Sequence, residues 1–88
     1  MHDVKCTVKS IKGECPVGYK VGDHFFIKGT ALLEAGEPKS ICLHALTAMT
    51  PYLTAYSRKT DEEDWINSIR ELQCPDSAKS VVFSLERI

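Results

Sequence analysis

The sequence predicts an α+β domain, a small antiparallel sheet packed on one face by two helices. Three observations carry that expectation. Apolar and polar residues alternate around Val4 and again around Val81, which is strand periodicity. An aromatic and β-branched run, His24-Phe25-Phe26-Ile27-Lys28, reads as a further strand. Two stretches with helical spacing then follow good capping residues, Ser40 and Thr60.

The first strand runs from Val4 with Val4, Cys6 and Val8 on one side and Lys5, Thr7 and Lys9 on the other. Cys6 is on the apolar side and reads as core. Residues 12–23 hold three glycines and a proline, so they form a connection made of turns, with a short extended piece near Tyr19. Cys15-Pro16 lies within it, and proline restricts the residue before it to extended geometry. Asp23 and His24 read as structural, Asp23 bonding local amides. Beyond Gly29-Thr30, residues 31–34 read as a short strand or a helical turn, and residues 35–39 as loop.

The first helix is expected from Ile41 to about Tyr56, with apolar positions Ile41, Ala45, Met49, Tyr52, Leu53 and Tyr56. Pro51 should bend or break it, because its ring clashes with the carbonyl of Thr47. Thr60-Asp61-Glu62-Glu63 reads as a capping box. Trp65, Ile66, Ile69 and Leu72 make an apolar stripe for a second helix over residues 61 to about 72. Gln73-Cys74-Pro75-Asp76-Ser77 is a second rigid turn, and the strand from Val81 closes the sheet.

At 88 residues the chain is a single domain, 1–88, large enough to bury a core without obligatory staples. A formal net charge of −1 gives no electrostatic footprint for nucleic acid or anionic lipid. No apolar run near Met1 suggests a leader, and no stretch is long enough for a membrane span. The expected location is cytoplasmic, where thiols stay reduced. Four cysteines in that setting read as metal, redox or core residues rather than as a disulfide framework.

Cys42 is the chemical focus. With Ser40 as cap it becomes the second residue of the first helix, where the positive end of the helix dipole favours a thiolate. His44 follows two residues later. If both are helical they point about 200° apart and cannot share one metal. The two Cys-Pro dipeptides flank this helix in sequence, so Cys15, Cys42 and Cys74, with His44 or an exogenous ligand as a fourth donor, form the candidate metal set. Thiolates of this kind suit zinc, copper(I) or an iron–sulfur cluster. The separations, 27 and 32 residues, lack the C-x₂-C pairing of zinc fingers.

The stretch Lys12-Gly13-Glu14-Cys15-Pro16-Val17-Gly18-Tyr19-Lys20-Val21-Gly22-Asp23, then Ile41-Cys42-Leu43-His44-Ala45-Leu46, then Cys74-Pro75-Asp76 with Val82-Phe83 and Glu86-Arg87, resembles a known family. It is a group of small uncharacterised prokaryotic proteins of about this length, and the likeness runs almost end to end. The resemblance implies that Cys15, Cys42 and Cys74 belong together and that Cys6 stands apart. It brings no activity or cofactor with it.

Three functions remain open from the residues. The first is a cysteine-ligated zinc or iron–sulfur domain using Cys15, Cys42, Cys74 and His44. The second is thiol chemistry, with Cys42 as nucleophile or redox thiol and Cys15 or Cys74 as its resolving partner. The third is a non-enzymatic oligomeric binding module. A homo-oligomer is expected, because a domain this small gains stability by burying more surface. A small-molecule or metal ligand is the other partner expected.

Overall fold

The computed structural model of the chain describes residues 2–13, 18–29, 32–37, 41–73 and 80–88. Five antiparallel strands form one sheet: β1 (Val4–Ile11), β2 (His24–Lys28), β3 (Leu32–Glu37), β4 (Glu71–Gln73) and β5 (Val81–Arg87). Their order across the sheet is β3-β2-β1-β5-β4. One helix, α1 (Leu43–Ser57), follows β3 in the chain.

The alternation in β1 and β5 decides which face is buried. Val4, Cys6, Val8, Val81, Phe83 and Leu85 point to the helix side and are buried. Phe25 and Ile27 of β2 join them through the pairs Cys6↔Phe25 and Val4↔Ile27. From above, α1 contributes Ala45, Met49, Leu53 and Tyr56. Phe25 and Tyr19 both meet Phe83 edge to face, each with ring centroids 5.6 Å apart. Burying side chains of this size stabilises the fold by about 1.5–3 kcal/mol each, with about 0.5–1.5 kcal/mol more per aromatic pair.

The two-helix expectation is overturned. The sheet has five strands, and only one helix packs on it among the described residues. Residues 61–72 do not form the second helix. They contain a short 3-10 helix, Trp65–Ser68, and then β4. The expected capping box is also absent. Asp64 is the cap, its Oδ1 accepting the Ile66 amide at 3.0 Å, while the Thr60 hydroxyl donates to Asn67 Oδ1 at 3.0 Å.

The reason is competition. An isolated helix of a dozen residues is marginal, and Asp64 and Asn67 bind nearby backbone instead of propagating it. Beyond them, the open edge of β5 offers main-chain partners to Glu71, Leu72 and Gln73, which pair with Ser84, Phe83 and Val82. Of the proposed stripe, Ile66 is buried and Ile69 and Leu72 are half-buried, but Trp65 is exposed.

Two further expectations need correction. Residues 32–37 are a full strand rather than a short strand, a helical turn or a loop. Gly36 is fitted into it by its lack of a side chain, because a Cβ there would lie 2.5 Å from the His24 carbonyl and 2.8 Å from its ring. Helix α1 starts at Leu43, two residues later than expected, and Pro51 sits inside it. Thr47 and Pro51 are both exposed, so the proline ring sits on the face of α1 away from the core.

The two ends of the sheet are chemically different. At one end, Val4 and Arg87 lie by the C-terminus of α1. There the Arg87 Nε donates to the Tyr56 carbonyl at 2.8 Å, and the His2 amide donates to the Ser57 carbonyl at 2.6 Å. At the other end are Ile11, His24, Gln73 and Val81, with the start of α1 above them. No described helix is long and apolar enough to cross a membrane.

Candidate functional site

Cys42 is the N-cap of α1, with φ −64° and ψ 120°, and its side chain makes no capping hydrogen bond. It is half-buried and packs against the margin of the core. Its carbonyl accepts the first intrahelical bond, from the Leu46 amide at 3.0 Å. Because Cys42 is an extended cap and not a helical residue, the 200° phase argument that separated it from His44 no longer applies. His44 is exposed on the first turn of α1.

The Cys42 amide donates to the Tyr19 hydroxyl at 2.8 Å. Tyr19 is buried, and its ring stands on Phe83. One residue of the β1–β2 connection therefore ties the start of α1 to the middle of β5. This residue was missed in the sequence. The available signal was that Tyr19 is the only aromatic in residues 12–23.

Residues 20–24 of this connection are held by hydrogen bonds to β1 and to one another. Gly22 (φ 98°) takes the left-handed conformation that the turn requires. Its amide donates to the Val8 carbonyl at 3.0 Å. The Lys20 amide donates to Asp23 Oδ2 at 2.8 Å, which is the local structural role expected of Asp23. His24 is likewise structural, with Nδ1 3.3 Å from the Gly22 carbonyl oxygen and its ring against Phe26.

Cys15 and Cys74 lie outside the described residues, as do Pro16, Ser40, Pro75 and Asp76. Their described neighbours do converge. Lys12, just after β1, donates its amide to the Ser80 carbonyl at 2.7 Å, just before β5. Gly13 and Gly18 flank Cys15, and Gln73 immediately precedes Cys74. All of these are at the end of the sheet where α1 begins. Among the described residues themselves, no three His, Cys, Asp or Glu side chains are grouped to hold a metal.

Cys6 behaves as the alternation predicted. It is fully buried on the core face of β1, and burial pushes its thiol up to about 12. It is chemically silent at neutral pH. The acidic residues Asp61, Glu62 and Glu63 line an open cavity on the surface, and all three are exposed. No family model matches the chain, and no curated protein or solved structure matches it either.

Proposed function

We propose that this chain is a thiolate-site protein that binds a soft metal, zinc or an iron–sulfur cluster, through Cys15, Cys42 and Cys74. One observation supports this reading above the others. Cys42 caps a helix that starts at the end of the sheet where β1 finishes and β4 gives way to β5, and these are the chain segments next to Cys15 and Cys74. A three-thiolate set assembled from sequence-distant segments needs a rigid frame, and the Tyr19–Cys42 hydrogen bond supplies one strut of it. His44 or an exogenous ligand completes four-coordination.

Elemental analysis and the ultraviolet–visible spectrum of anaerobically purified protein test the proposal, with Cys42→Ser as control. The expected result is about one zinc per chain, or an iron–sulfur absorbance, lost in the control. Metal-free protein with a Cys42 that alkylates selectively at neutral pH would replace this reading with thiol chemistry.

A further inference from the structure

We propose that β3 is a self-pairing edge, through which two copies of this chain join antiparallel into one continuous sheet. The two edges of the sheet differ. β4 is only three residues long, its Glu71 is ion-paired with Lys9, and Arg70 precedes it, all of which blunt an edge. β3 is six residues long and contains no Lys, Arg or Pro. Its Leu32 and Leu33 are 69% and 44% exposed. A row of main-chain donors and acceptors beside exposed leucines is matched by another strand.

The residues of β3 indicate a second copy as that strand. Leu33 pairs with Ile27 and so faces the helix side, whereas Leu32 and Glu34 pair with Lys28 and Phe26 on the opposite face. Among the described residues α1 packs mainly over β1 and β4, and Leu33 on the helix-side surface of β3 stays exposed. A two-fold register centred on Leu33 brings the two Leu33 side chains together there. On the other face it sets each Glu34 opposite Leu32 of the second copy, in the same cross-strand row as Lys28. Charges of opposite sign then share a row and the two Glu34 carboxylates are kept apart. Centring on Glu34 would instead oppose those two carboxylates directly, which is unfavourable. The paired segment is short, so the dimer is weak and concentration-dependent.

Sedimentation equilibrium in reducing buffer tests this, comparing the wild type with Leu33→Lys and Cys42→Ser. The wild type should dimerise with rising concentration, and Leu33→Lys should weaken association at least about tenfold while the far-ultraviolet circular dichroism is unchanged. Cys42→Ser should still dimerise, since β3 is independent of the thiol site. Amide exchange in β3 should slow as concentration rises, a readout that needs no variant. The proposal is overturned by a monomer up to about 1 mM, by a dimer indifferent to Leu33→Lys, by a dimer lost in Cys42→Ser while its circular dichroism matches the wild type, or by β3 exchange independent of concentration.

Discussion

Cys6 and Cys42 show how one residue type takes two roles. Cys6 sits among Val4, Val8, Phe25 and Leu85 with nothing to stabilise a thiolate, so burial holds its proton. The raised pKa has a consequence for stability. The folded state binds the Cys6 proton more tightly than the unfolded state, whose pKa is near 9. That contribution is fully present below about pH 9 and is lost as pH rises towards about 12. Stability should therefore fall more steeply between about pH 9 and 12 in the wild type than in Cys6→Ala, which has no proton to lose there; equal pH slopes would contradict this. In a labelling experiment at neutral pH, Cys6 should react only after denaturation. Strand alternation made the role of Cys6 legible. The place of Cys42 was less so, because Ser40 looked like a sufficient cap and nothing local said that the helix would begin two residues later.

At the scale of elements, β1, β2 and β5 could be read from their own residues because each carries its burial pattern locally. β3 and β4 could not. Leu-Leu-Glu-Ala-Gly-Glu has little intrinsic strand preference and is extended because β2 offers it a ladder. Glu71-Leu72-Gln73 extended a helical stripe on paper but pairs with β5, a non-local choice that periodicity does not record. The C-terminal end of α1 relies on Arg87, whose guanidinium lies 4.3 Å above the Tyr56 ring. It also bonds the Tyr56 carbonyl and Asn67 Oδ1, each at 2.8 Å. This contact joins α1, the 3-10 helix and β5 at one point. Arg87→Ala should cost about 2 kcal/mol, from a cation–π contact and two charge-assisted bonds. In a domain of this size that lowers Tm by about 10 °C. Arg87→Lys should recover only part of it, since lysine lacks the planar fork. A thermal melt of the three proteins checks the order.

For the whole molecule, the described residues close the two ends of the sheet in different ways. One end is closed by Arg87 and the termini of β1 and α1. The other gathers the described residues of the β1–β2 connection, the end of β4 and the N-cap of α1, held together by the Tyr19 hydroxyl on Cys42 and by Lys12 on Ser80. The sequence could single out Cys15, Cys42 and Cys74 by their proline and helix settings. It could not say that the described residues Lys12, Tyr19, Gln73 and Ser80 share an end with the start of α1, because that follows from the strand order β3-β2-β1-β5-β4. The most direct test of the three-cysteine site is cobalt(II) titration of reduced protein, followed by its thiolate charge-transfer absorption, in the wild type and in serine variants at each cysteine. The proposal predicts a saturable band at about one cobalt per chain, weakened by Cys15→Ser, Cys42→Ser and Cys74→Ser alike and unchanged by Cys6→Ser. No band in the wild type, or a band that survives all three substitutions, would contradict it.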